Sequence, residues 1–246
     1  MNLLLTGASG TIGSTILTQT LSNPHITSLI LLVRRPLTNL ALSTHQESGR
    51  KPEVKIIIME GFNIYPDEVV DEIAGCEACI WAMGTYTGDS VVEVEYPTAF
   101  ADAFLRRQRE GRKGKGNGGL ERKEKFRFVF LRGAYTVEDQ DRSLWFMPSA
   151  RRGNGLGEKT LRLYAQENAC EDIWQTYIMK PGGILPSSIL PSMGFILRPV
   201  MDVVGAIRSN EVAACIVDIA VHGSEDGKFV WQNGDMVLRG RAVLGE

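Results

Sequence analysis

No apolar run in the 246-residue chain is both long enough and clean enough to cross a bilayer as a helix. The best candidate, Ile189 to Ile207, is broken by Pro191, Arg198, Pro199 and Asp202. The opening Met1-Asn2-Leu3-Leu4-Leu5-Thr6-Gly7 has too short an apolar stretch, and no basic leader, for a secretory signal. The chain is therefore read as cytoplasmic, with no membrane partner. An excess of one charge is missing as well. A formal net charge of −2 gives no global pull toward nucleic acid or anionic lipid. Histidine is scarce: His25, His45 and His222 lie far apart, with no partner spacing that suggests catalysis or metal ligation. Cysteine is nearly as rare. Cys76 and Cys79 have the spacing of a redox motif or half a zinc site, but no second pair or clustered histidine completes one. With Cys170 and Cys215 they are expected to be reduced and packed, with no metal.

What is present is the balance of an ordinary globular protein, 43% hydrophobic and 23% charged, long enough for one α/β domain. Apolar runs of strand length alternate with helix-length segments, the pattern of a doubly wound parallel sheet with crossover helices. The strands are expected at Asn2 to Leu5, Leu29 to Val33, Val54 to Met59, Cys79 to Met83, Phe126 to Leu131, Thr176 to Met179 and Lys228 to Gln232. The helices are expected at Thr11 to Ser22, Tyr96 to Gln108, Leu156 to Asn168 and Glu211 to His222, with Asp67 to Ala74 beginning a helix or a turn.

Two stretches break the rhythm. Pro36 to Pro52 is polar and lacks a helical period, so it reads as a loop. Arg106 to Arg127 holds ten Lys/Arg against three Glu, with five glycines between Gly111 and Gly119. Residues 108–125 are accordingly read as a flexible basic surface loop. With no aromatic side chain interleaved before Phe126, it is not read as a nucleic-acid site.

The chemistry begins at Thr6-Gly7-Ala8-Ser9-Gly10-Thr11-Ile12-Gly13, where three glycines join a strand to a helix. Gly7 permits the tight turn, Gly10 lets backbone approach a pyrophosphate at the positive end of the helix, and Gly13 lets the helix pack close to the sheet. A Rossmann-type dinucleotide site is the expectation. Sites that prefer NAD carry an acid about 20 residues on, which holds the ribose 2′-hydroxyl. This chain has Arg34-Arg35 there. A guanidinium grips a 2′-phosphate that a carboxylate would repel, so NADP(H) is the expected cofactor.

Three motifs together make the chain resemble the short-chain dehydrogenase/reductase superfamily, in its extended or atypical branch. They are Thr6-Gly7-x-x-Gly10-x-x-Gly13, Trp81-Ala82-Met83-Gly84 and Pro181-Gly182. The resemblance spans nearly the whole chain. It implies that Ala82, Met83 and Gly84 pass beside the cofactor and that Pro181 and Gly182 position the nicotinamide. The family's Asp after the third strand, which contacts adenine, is replaced by Glu60-Gly61-Phe62-Asn63, and that contact is altered. The family's usual serine after the fifth strand is replaced by Arg132. Where its Tyr-x-x-x-Lys would stand, this chain has Ala150 and Asn154, and no Tyr-x-x-x-Lys occurs anywhere. Carbonyl reduction by the family's tyrosine mechanism is therefore not expected.

An NADPH enzyme without that tyrosine can still deliver hydride to an electrophile that needs no proton donor, such as an iminium. Arg132, Asp139, Asp141, Glu158 and Tyr135 are the candidates for catalytic work. Arg132 leads, because the carboxyl end of a strand opens on the ligand crevice. Glu158, early in a helix, suits a helix-dipole role better than a catalytic one. Gly183 to Ile207, within a segment 183–210, is expected to form a substrate lid or wall. Ile184, Leu185, Ile189, Leu190, Met193 and Phe195 would line it for a bulky small molecule. The whole chain, 1–246, is read as one domain, and a homo-oligomer stays open. The leading function is an NADPH-dependent reductase of a small-molecule biosynthetic intermediate. A non-redox cyclase or isomerase on the same scaffold, and an NADP(H) sensor without catalysis, stand as alternatives.

Overall fold

A computed structural model describes residues 1–37, 51–85, 87–114, 124–134, 136–139, 141, 143, 145, 148–186 and 205–246, without the side chains of 112–114 and 150. Residues 38–50 of the expected polar loop, 115–123 of the basic loop and 187–204 of the expected lid lie outside it, as does Tyr135. The lid residues Ile189, Leu190, Met193 and Phe195 go with them.

Seven strands form one sheet: β1 (Asn2–Thr6), β2 (Ser28–Val33), β3 (Glu53–Ile58), β4 (Ala78–Trp81), β5 (Phe126–Leu131), β6 (Trp174–Lys180) and, after two short strands described below, β9 (Val230–Gln232). Their order is β3-β2-β1-β4-β5-β6-β9 and every pairing is parallel. The chain runs outward from β1 to β3, then crosses back to β4 on the other side of β1. The carboxyl ends of β1 and β4 therefore feed connections in opposite directions, and that divergence opens a crevice. Register places Thr6 beside both Leu32 and Trp81, with Trp81 beside Phe130 and Leu131 beside Met179.

Because parallel strands are covered on both faces, alternate residues feed two cores. Leu3, Leu5, Leu29, Leu31, Ile80, Val129 and Met179 pack under helices α1 (Thr11–Ser22), α5 (Ser209–His222) and α6 (Asn233–Leu244). Leu4, Leu32, Trp81, Phe126, Phe128 and Trp174 pack under α2 (Asp67–Ile73), α3 (Tyr96–Gly114) and α4 (Pro148–Glu167). The second core is aromatic. Phe100 of α3 lies within 6.3 Å, centroid to centroid, of Trp81, Phe104, Phe126, Phe128 and Trp174. The Trp174 indole N–H donates to Thr176 Oγ1 at 2.8 Å, and that hydroxyl donates to the Leu161 carbonyl at 2.8 Å. Thr176→Val keeps the shape but orphans the buried indole donor, so it should lower unfolding free energy by about 1–3 kcal/mol. A denaturation midpoint equal to wild type would remove this relay as a stabilising element.

The four cysteines are buried thiols, none in a disulfide. Helix α6 and the turn before α3 have no counterpart among the expected elements, and three further features depart from what the sequence suggests. Helix α3 continues to Gly114 rather than ending near Gln108, because Leu105 to Lys113 is rich in Arg, Gln, Lys and Glu, all good helix formers. Residues 108–114 are therefore helix, not loop. Helix α4 begins at Pro148, eight residues before the expected Leu156. Proline suits a first helical position, whereas Gly153, Gly155 and Gly157 argue locally against a helix. Those glycines answer to packing: a Cβ at 155 would lie 2.0 Å from the Val137 carbonyl oxygen, and one at 153 2.4 Å from that of Gly88. Finally, the ends of the expected lid pair with each other as a small parallel sheet of β7 (Gly183–Leu185) and β8 (Ala206–Arg208). Ile184 lies partly buried against the first core, and Leu185 is exposed.

Candidate dinucleotide cradle and the buried ion pairs beside it

The turn after β1 is shaped by backbone contact. Gly7 has φ +73°, in the left-handed region, and a Cβ there would lie 2.5 Å from the Ala82 carbonyl oxygen and 3.0 Å from the Met83 nitrogen. The Gly10 N–H donates to the Gly7 carbonyl at 2.9 Å and closes the turn. A Cβ on Gly13 would sit 1.9 Å from that same carbonyl oxygen. The first turn of α1 is thus pressed against the strand end.

Gly10 is the N-terminal boundary residue of α1. No side chain caps this end, and no acid lies in its first turn. The leading amides of a helix have no partner within it, and here they are left at the positive end of the dipole. Ser9, Gly10 and Thr11 are exposed, Ile12 is half-buried, and Thr6 is fully buried beneath them. A Cβ on Gly10 would meet only the Gly7 carbonyl oxygen, at 3.3 Å, and otherwise project into open space. This is a concave backbone surface ready for an anion, at the crossover point of the sheet. The residues fit a pyrophosphate.

Arg34 and Arg35 follow β2 directly, both exposed and in no ion pair among the described residues. On the other side of the cradle, Gly84 is exposed and Ala82 and Met83 are half-buried. Beyond β6, Pro181 is buried. The Gly182 N–H donates to Asn233 Oδ1 at 2.6 Å, and a Cβ at 182 would lie 2.1 Å from the Gly205 carbonyl oxygen. The structure therefore brings the glycine turn against Ala82 and Met83, with Gly84 next along the chain, and ties Gly182 to Asn233 and Gly205 beyond the end of β6.

Arg132 is enclosed. Its guanidinium donates to the Glu93 carboxylate, to the Glu93 backbone carbonyl, and to Asn154 Oδ1 at 3.2 Å. Its Cζ lies 3.8 Å from the Phe130 ring centroid. Both members of the Arg132–Glu93 pair are buried, at 1% and 0% side-chain exposure. Burial pulls the guanidinium below the usual arginine value, and the neighbouring Glu93 carboxylate opposes that shift. Glu93 is presented by a π-helical turn, Val91–Glu95, that leads into α3, and it also accepts from the Thr85 amide and hydroxyl. Helix α4 can approach because residue 157 is glycine: a Cβ there would be 2.2 Å from Arg132 Nη2.

Glu158 is also buried and occupied. It accepts from Lys180 Nζ at 2.8 and 2.9 Å and from Thr136 Oγ1 at 2.6 Å. Asp141 and Asp139 are exposed, joined by an Asp141 N–H donated to Asp139 Oδ1 at 3.0 Å, and no described contact links them to Arg132 or Glu158. Sequence reasoning missed Glu93, Lys180, Thr136 and Thr85. Lys180 left a faint signal, a cation ending an apolar strand just before Pro-Gly. Glu93, among Val91, Val92 and Val94, left only a charge in an apolar run.

No family model and no curated protein matches the chain. Solved structures match it over nearly its full length. An oxidoreductase of the short-chain dehydrogenase/reductase family from Burkholderia thailandensis is 13% identical, covers 100% of this chain and 97% of its own, and gives a TM-score of 0.56. Gre2 from Candida albicans, solved with NADPH, is 11% identical over 94% of this chain and 78% of its own, with a TM-score of 0.59. FolM alternative dihydrofolate reductase 1 from Brucella canis, solved with NADP, is 13% identical over 96% and 94%, with a TM-score of 0.58. The chain has the short-chain dehydrogenase/reductase fold. Among its described residues no helix is long and apolar enough to cross a membrane.

Proposed function

We propose that the chain binds NADP(H) and works as a reductase of a small-molecule substrate, without the tyrosine and lysine that its fold usually carries. The observation that carries this reading is the uncapped α1 N-terminus opening at the sheet crossover, with two exposed arginines at the end of the neighbouring strand. The amides of residues 11–13 would hold the pyrophosphate, and Arg34, with Arg35 beside it, the 2′-phosphate. The structures solved with NADPH and with NADP lend this cofactor weight. When bound, NADPH supplies the hydride.

The chain's own residues position and shield. Ala82 and Met83 back the glycine turn through the contacts at Gly7, while Asn233 and the Gly205 carbonyl fix Gly182. The terminal nitrogens of Arg132 are taken up by Glu93 and Asn154, and its Nε is buried without a partner among the described residues, so the guanidinium is held away from the role of a general acid. A hydride acceptor that needs no proton from that position fits such a site, an iminium-type electrophile being one chemical class.

Equilibrium titration with NADPH and NADH tests the cofactor. NADPH should bind at least about tenfold more tightly, and Arg34→Ala should erase most of that preference, since a charge-assisted pair contributes about 1.5–3 kcal/mol. Equal binding of the two coenzymes, untouched by the substitution, would end the NADP(H) assignment.

A further inference from the structure

Two cations stand at the carboxyl ends of β5 and β6, and they are not equivalent. Arg132 is sealed against Glu93 with 1% of its side chain exposed, whereas Lys180 keeps 12% open. An ammonium carries three N–H donors. Glu158 receives Lys180 Nζ through its two oxygens, at 2.9 and 2.8 Å, and no other partner engages that nitrogen among the described residues. Glu158 is itself 3% exposed and is further fixed by Thr136. A buried carboxylate thus holds the lysine that ends β6, immediately before Pro181 and Gly182.

We infer that Lys180 is a binding residue for the nicotinamide-bearing half of the dinucleotide, with Glu158 as the positioning residue behind it. The inference rests on the dinucleotide reading above. Direction follows from the strand order. The pyrophosphate cradle leaves β1, and the arginines that suit the adenosine 2′-phosphate leave β2, one strand to one side. The other half of the ligand must then extend the opposite way, over β4, β5 and β6. Strands about 4.8 Å apart put β6 roughly 14 Å from β1, within the domain of an extended second nucleotide rather than of the pyrophosphate. Because Glu158 lies against it, the lysine offers a hydrogen-bond donor without adding net charge beside the nicotinamide ring. Hydroxyl or amide oxygens of that half are the acceptors such a donor takes.

Titrating NADPH and adenosine 2′,5′-bisphosphate in parallel separates the two halves, since the bisphosphate lacks everything beyond the first phosphate. For Lys180→Met, NADPH affinity should fall about ten- to a hundredfold while the bisphosphate is unchanged. Glu158→Gln should give the same selective loss in smaller measure, and Lys180→Arg should recover part of it. If Lys180→Met does not fold because Glu158 is left unpaired, the double variant Lys180→Met/Glu158→Leu carries no orphan charge and reads the same ratio. NADPH affinity unchanged, or both ligands weakened equally, overturns the inference. Wild-type protein that binds neither ligand overturns the dinucleotide reading itself, and this inference with it.

Discussion

Gly13→Ala should cost the protein both its dinucleotide affinity and a large part of its stability. The added Cβ would lie 1.9 Å from the Gly7 carbonyl oxygen, 2.6 Å from the Gly7 carbonyl carbon and 3.2 Å from the Ala8 Cα. All three are backbone atoms, so no side chain can rotate away. Helix α1 must move off the strand end, and it carries Ile16 and Leu17, which are fully buried against β1, β2 and α5. Overpacking of this kind costs about 3 kcal/mol or more, a drop of about 6–12 °C in melting temperature for a chain of this length. Gly10→Ala is the informative companion. Residue 10 has φ −78°, which any residue adopts, and its Cβ would meet only one oxygen at 3.3 Å. Its stability cost should stay within about 1 kcal/mol, yet the methyl group projects to where a pyrophosphate would approach. Gly13→Ala should lose folding stability and NADPH binding together, and Gly10→Ala binding alone, by about a hundredfold or more. A Gly13→Ala protein that melts with wild type would mean that α1 is not held where the structure puts it.

The glycine turn is legible in the amino-acid sequence because its parts are contiguous: strand, three glycines at fixed spacing, helix. The sheet is legible for a similar reason. Each buried parallel strand is a short apolar run, and Phe126–Leu131 agrees to the residue. Wherever meaning depends on what a residue meets across the fold, the sequence is silent. Gly153 and Gly155 fall before the expected helix because their helix-breaking tendency is local, while the backbone of Gly88 and Val137 that requires them is distant. Arg132 stands out as an oddity at the end of β5. Its partner lies 39 residues away on a π-helical turn that has no sequence signature. Lys180 and Glu158, 22 residues apart, are hidden in the same way.

That distance in sequence makes the Arg132–Glu93 pair the second place where a substitution should act strongly. Arg132→Met leaves the Glu93 carboxylate at zero exposure with only the Thr85 amide and hydroxyl to face it. Glu93→Met strands a guanidinium that is 1% exposed. Breaking one side of a buried pair costs about 3–5 kcal/mol, because the remaining charge has lost its compensation and stays out of water, or about 6–20 °C in melting temperature at this chain length. Removing both charges is a different operation. The double variant Arg132→Met/Glu93→Met leaves no orphan, and apolar side chains of that size suit a site already walled by Phe130, so it should recover at least half of the lost stability. The cycle also separates a strut from a catalytic group. A strut predicts that NADPH affinity in the double variant stays within about threefold of wild type, because the glycine turn and its contacts with Ala82 and Met83 are unchanged. If Arg132→Met alone melts with wild type, the pair is not holding α4 and the π-helical turn together. Arg132 would then return to candidacy as a residue that meets the substrate, since its cost of burial would need another reason.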